Sequence, residues 1–143
     1  MKIKYDLSLM KLISLFERKA RVNVKDAFED KNGILYFIVN EGNARKAIGK
    51  KGENIKQLSE SLKKRIKVVE FSEDMETFIK RLVFPLKINE VSSDGNVILI
   101  SGEDKETNSR LIGRNGSNLR NYEDMMKRYF PIKEIKVQNR KIE

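Results

Sequence analysis

Residues 48–52 read IGKKG and residues 112–116 read IGRNG, sixty-four positions apart. Two glycines around two polar residues suit one kind of chemistry, the gripping of a phosphodiester backbone. Glycine adopts backbone angles closed to other residues and lets a second backbone approach closely. A helix that starts just past such a loop turns its unpaired N–H groups and the positive end of its dipole toward phosphate. Lys50 and Lys51 in the first loop, and Arg114 and Asn115 in the second, add basic and amide donors that hold phosphate without reading sequence. For a single GXXG, a tight helix–helix turn is the simpler reading. Here both copies follow an isoleucine and both open with a basic residue, which favours a shared purpose.

The flanking residues form an internal repeat of the elements that must hold these loops. Leu9, Leu12, Ile13 and Phe16 lie at i, i+3, i+4, i+7, one apolar helix face, and Met75, Phe78, Ile79 and Leu82 repeat it. Asp6 and Ser72 are the expected N-caps. Strand-like alternation follows, at Val22 and Val24 in one half and at Leu86 and Ile88 in the other, with Pro85 at a tolerated strand start. EDKNG and SSDGN then mark hairpin turns. Second strands read ILYFIVN (34–40) and VILISG (97–102). A short helix, the glycine pair and a longer helix come next. The buried faces of the longer helices are Ile55, Leu58 and Leu62 in one, and Leu119, Tyr122, Met126 and Tyr129 in the other. RIKVVEF (65–71) and IKEIKV (132–137) close the halves as strands, and Pro131 stops the last helix. Each half is thus α-β-β-α-α-β. At an offset of 64, Asp30 matches Asp94, Ile34 matches Ile98, Leu35 matches Leu99, Lys46 matches Arg110, Asn54 matches Asn118 and Lys56 matches Arg120. No Pro/Gly/Ser-rich linker separates the halves, so rigid packing of one on the other is expected.

Composition narrows the chemistry. The 143 residues include 30 Lys/Arg against 21 Asp/Glu, a net charge of +9, which points to a polyanionic partner. A heavily charged surface of a heat-adapted protein accounts for 36% charged residues as well. Residues 1–72 carry 17 basic and 9 acidic residues, residues 73–143 carry 13 and 12, so the first half holds +8 and the second +1. Cysteine and histidine are both absent. That removes disulfides, Cys/His zinc sites, thiol nucleophiles and His general bases. No apolar stretch suggests a signal peptide or a membrane span, so a soluble cytoplasmic protein is expected.

With IGKKG and IGRNG set between helices after a two-stranded hairpin, the sequence resembles a tandem of KH domains, whose GXXG loop clamps single-stranded nucleic acid. The element order looks like the type II arrangement, because a helix (73–82) stands where type I would need a strand. A short chain of two such units resembles the archaeal NusA-like transcription factor family. The resemblance implies an α+β fold of two tandem type II KH domains, 1–72 and 73–143, each a three-stranded sheet with helices packed on one face. It also implies single-stranded RNA binding in transcription elongation, termination or antitermination. The RNA-binding residues would be Ile48, Gly49, Lys50, Lys51, Gly52, Ile55 and Lys56 in the first unit. Ile112, Gly113, Arg114, Asn115, Gly116, Leu119 and Arg120 would serve in the second. Ile48, Ile55, Ile112 and Leu119 would floor a groove between the GXXG side and an edge strand, although ordinary core is an equal reading. Bases would pair with backbone groups of the second strand near Ile38 and Ile100. Lys46, Lys56, Arg110 and Arg120 are candidate phosphate contacts or plain surface charges. The first loop would supply general affinity and the second more of the register.

Other readings are a ribosome-maturation or ribosome-associated KH protein, and an adaptor docking on RNA polymerase with little RNA contact. Acidic residues inside GXXG would favour the adaptor, and neither loop has one. RNA polymerase is a candidate partner in either case. A monomer is expected, since two packed units need no third to complete a core. Enzymatic activity, a cofactor and a metal are not expected. The acidic clusters Glu73/Asp74/Glu76 and Glu103/Asp104/Glu106 fall at helix starts, where negative charge complements the dipole, and no GxxxxGK[ST] loop is present.

Overall fold

The computed structural model describes residues 7–138. Its contacts divide the chain into two compact units that meet in the sequence between Glu73 and Asp74. In the first unit, α1 (Leu7–Ala20) precedes β1 (Val24–Glu29), β2 (Leu35–Val39), α2 (Ala44–Ile48), a single 3-10 turn (Lys50–Gly52), α3 (Glu53–Leu62) and β3 (Ile66–Glu70). The second repeats the order: α4 (Met75–Val83), β4 (Ile88–Asp94), β5 (Val97–Gly102), α5 (Lys105–Ile112), a 3-10 turn (Arg114–Gly116), α6 (Ser117–Lys127) and β6 (Glu134–Val137). Each sheet has its strands in sequence order, the first pair antiparallel and the second parallel. The first strands, β1 and β4, carry a bulge at one repeat position, between Val24 and Asp26 and between Ile88 and Glu90.

The expected apolar faces make the cores. Leu35, Phe37 and Val39 alternate along β2 and meet Phe16, Ala20, Ala47 and Leu58 of the helices, with Leu9, Leu12, Ile13, Ile55 and Leu62 packed around them. Burying one such aromatic stabilises the fold by about 1.5–3 kcal/mol. The tilted Phe16–Phe37 pair, 5.5 Å between centroids, adds about 0.5–1.5 kcal/mol. In the second unit Phe78, Ile79, Leu82, Ile98, Ile100, Leu111, Met125 and Met126 are all buried.

Several sequence expectations shift. Asp6 lies outside the described residues. Ser72 is buried rather than capping. The cap of α4 is Asp74, whose carboxylate accepts the Thr77 N–H at 3.0 Å. Asp104 caps α5 in the same way through Thr107, at 2.7 Å. Hydrogen bonds from the threonines hold both carboxyls below the usual aspartate range: the Thr77 hydroxyl first for Asp74, the Thr107 amide first for Asp104. Tyr129 lies beyond α6, in the turn that follows it, with its ring edge-on to Phe78. The buried face of α6 instead includes Asn121, Glu123 and Met125.

The repeat also slips by one residue in the second strand. Val24 faces Val39 and Ile88 faces Gly102, so Leu35 corresponds to Ile98, not to Leu99. Loop length is the reason. The Asp30 N–H reaches the Ile34 carbonyl across residues 31–33, whereas Asp94 sits directly opposite Val97 across Gly95 and Asn96. A one-residue slip exchanges the faces of a sheet, and Leu35 and Ile98 are accordingly both buried while Leu99 is half-buried.

Lys67 of β3 is half-buried, its ammonium 5.7 Å from the centre of the Tyr36 ring. Burial lowers its pKa to about 8, against a weaker upward pull from Asp30. Between pH 8 and 10.5 the unfolded chain holds a proton that the folded chain has released, so stability rises with pH across that window. Lys67→Met should therefore be the more stable protein at pH 7, by on the order of 1 kcal/mol once solvent screening is counted. Urea melts at several pH values should show that advantage shrinking from pH 8 to 10.5. A constant difference would mean that the ammonium stays fully hydrated.

Candidate nucleic-acid interface

Each GXXG loop is built from the helix that precedes it. Ala47 of α2 is fully buried in the core and fixes that short helix in place. The Glu70 carboxylate at the end of β3 receives the Ala44 N–H at 3.1 Å, tying the start of α2 to the sheet. The Gly49 N–H closes the helix on the Arg45 carbonyl at 2.9 Å, and the backbone then reverses. Gly49 has φ 83° and ψ 170°, a region essentially reserved for glycine. Lys51 (φ 55°, ψ 27°) and Gly52 (φ 73°, ψ 15°) are left-handed, and α3 starts at the next residue. The second loop repeats the path: Gly113 at 72° and 178°, Asn115 at 56° and 29°, Gly116 at 75° and 11°. Across these three positions the largest difference is 11°, in φ of the first glycine. Asparagine tolerates the left-handed region better than lysine does, so the first loop stores more strain.

A residue pair matched in the sequence but given no role there explains why the first glycine is required. Asn54, second in α3, donates from Nδ2 to the Lys46 carbonyl at 3.1 Å, and Asn118 donates to the Arg110 carbonyl at 2.8 Å. Each amide thus ties the start of the long helix to the last turn of the short one. The side chain lies directly against the glycine. A Cβ on Gly49 would stand 2.8 Å from Asn54 Cγ, and one on Gly113 would stand 2.7 Å from Asn118 Cγ. The asparagine clamp and the glycine are one device.

The expected site residues fall in different settings. Lys50, Lys51, Arg114 and Asn115 are exposed at the loop tips, as is Lys56 on α3. Ile48 is 38% exposed, Ile55 and Ile112 are half-buried, and all three border the loops. Leu119 is buried at 6% and belongs to the core. Arg120 is exposed yet paired with the buried Glu123, whose hydrogen bond and charge raise the arginine's pKa. Arg110 pairs with Glu106 at 3.1 Å, an exposed i,i+4 contact of little worth. The charge at the helix starts is uneven: α3 opens with Glu53, whereas the first turn of α6 holds no acid.

The base-reading strand needs correction. β2 and β5 are central, and Ile38 and Ile100 are paired on both sides, so their backbone groups are committed to the sheet. The available edge beside the helices belongs to β3 and β6, against which α2 with α3, and α5 with α6, pack. The Phe71 N–H returns to the Val39 carbonyl at 2.8 Å, so alternation turns the amides of Ile66, Val68 and Glu70 to the outer edge. Among the described residues no helix is long and apolar enough to cross a membrane, and no cluster of acidic residues could hold a metal.

An α-β-β-α-α-β unit with a glycine clamp between its last two helices and an edge strand alongside is the type II KH architecture, present here twice. A KH domain profile matches residues 8–96. A Methanococcus vannielii protein named probable transcription termination protein NusA is 35% identical over 140 residues, covering 96% of this chain and 80% of its own. A Thermoplasma acidophilum protein of the same name is 31% identical over 138 residues, covering 94% of this chain and 95% of its own. The crystal structure of APE1850 matches with a TM-score of 0.72 at 29% identity, over 94% of this chain and all of its own. The chain belongs to the KH-domain family, within the archaeal NusA-like group.

The clamp makes a coupling prediction. Gly42→Ala meets only the strain of a positive φ, while Gly49→Ala adds the collision with Asn54. Gly49→Ala should cost more, about 2–3 kcal/mol in urea melts. Combining it with Asn54→Ala should cost less than the sum of the two single changes. Strict additivity would show that the two residues act independently.

Proposed function

We propose that this chain is a non-catalytic protein that binds single-stranded RNA through its two GXXG loops and acts in transcription, at termination or antitermination, with each unit, 1–72 and 73–143, serving as one KH domain. The observation that carries the reading is the pair of loops with one backbone shape, each presenting solvent-facing cationic or amide tips ahead of a helix start. Two units of about four nucleotides each gain affinity on one strand by effective concentration. The relatives' name, transcription termination protein, supports transcription as the setting. Helix capping by Asp74 and Asp104 gives one carboxylate of each acidic cluster a structural role, which supports the non-catalytic reading.

Affinity should divide unequally, since the first 72 residues carry +8 and the rest +1. Lys50→Asp with Lys51→Asp should weaken binding to a random single-stranded RNA by more than tenfold. The salt slope should flatten by about 0.7 for each phosphate that the variant no longer neutralises. The same change at Arg114 and Asn115 should weaken binding less. Fluorescence anisotropy at two salt concentrations, with thermal melts as folding controls, reads all of these. Equal losses would refute the unequal division. Full binding by a folded variant with Asp in both loops would refute the RNA reading of the loops.

A further inference from the structure

The groove edge of the second unit already holds an anion. Glu123 of α6 is 5% exposed. Its Oε2 accepts the backbone N–H of Ile135 at 2.8 Å and pairs with Arg120 Nη1. The Gln138 N–H returns to the Ile100 carbonyl at 2.8 Å, and Ile135 is three residues before it. Alternation therefore turns the Ile135 N–H to the outer edge of β6, the edge beside α6. That amide is the kind of donor a base edge would take. Arg120 is the cation that the repeat aligns with Lys56. One carboxylate thus occupies both a base-reading donor and a phosphate-reading donor.

Among the described residues of the first unit no carboxylate takes this position. Sixty-four residues before Glu123 stands Ser59, which is neutral, and its hydroxyl donates to the Lys64 carbonyl. The corresponding strand amides there, Ile66 and Val68, face the outer edge. The two grooves therefore differ by one full charge at the same place.

We propose that Glu123 closes the base-reading groove of the second unit, so that bases are read by the first unit and the second holds only phosphate through residues 113–116. The proposal rests on the RNA-binding reading above. A carboxylate this buried does not surrender its donors cheaply, because each donor removed leaves a desolvated charge. It also repels a phosphate chain laid along the same edge. Glu123 is then a specificity-determining residue that makes two similar folds unequal.

The test is amide NMR of the whole chain titrated with a random-sequence single-stranded RNA of twelve nucleotides. In the wild type, the amides of both GXXG loops and of Ile66 and Val68 should shift, while Ile135 should not. Glu123→Gln removes the charge and leaves the Ile135 N–H only a neutral, weaker acceptor, which a base edge can displace. In that variant Ile135 should respond to RNA, and affinity should rise on the order of tenfold as Arg120 is released to phosphate. A wild-type Ile135 that shifts as much as Ile66 would overturn the proposal without any variant. So would a folded Glu123→Gln protein with unchanged affinity. Failure of the RNA-binding reading looks different, because no loop amide of either unit would then respond.

Discussion

The turn from Gly49 to Gly52 is too tight for a side chain at its first position, and the rest of each unit is arranged around that limit. The backbone passes through angles reserved for glycine while Asn54 lies 2.8 Å from where a Cβ would be. The asparagine holds the start of α3 against the end of α2, so the two helices leave the loop in a fixed relation. Buried Ala47 and Leu58 then anchor both helices on the sheet. The solvent-facing tip follows as a consequence, since Lys50 and Lys51 have no inward path. Gly113 and Asn118 impose the same limit on the second unit, and the two backbones agree closely.

Sheet topology decides where a bound strand could lie. A central strand has neighbours on both sides and no backbone group to offer, which excludes β2 and β5. The parallel third strand forms the edge beside the helices. Glu70 and Glu123 both reach from or to that region, but with opposite effects. Glu70 points from β3 to the start of α2 and strengthens the scaffold. Glu123 points from α6 to the edge of β6 and fills it. A charge that appears only as a small difference in composition becomes a difference in what each groove can accept.

Some of the remaining charges serve the fold. Asp74 and Asp104 satisfy helix N–H groups, and their lowered pKa values follow from hydrogen bonds rather than from a catalytic pairing. Lys67 is tolerated against the Tyr36 ring at the cost of a depressed pKa. What is left in solvent at the loop tips is cationic or amide, Lys50 and Lys51 in one and Arg114 and Asn115 in the other, as a phosphate-binding surface requires.

Much of this was legible from residue order. Helical spacing around Phe16 and Phe78, the two turn signals and the repeated GXXG specified the α-β-β-α-α-β order, because periodicity and glycine act within a few residues of chain. The loop positions were legible for the same reason. Leu119, by contrast, proved to be core, because its spacing fits a groove floor and a buried face equally well. Arg120 proved to be engaged by Glu123, a glutamate that no apolar pattern would place inside. The one-residue slip between Leu35 and Leu99 was hidden because it depends on the length of a turn, which resets which face of a sheet a side chain meets. The edge strand was hidden because strand order is a property of pairing across the sheet. Local backbone chemistry could therefore be read directly from the sequence. Which donors remain unoccupied was decided only when distant segments came together, since a hydrogen bond such as Glu123 to Ile135 exists only across the folded gap between them.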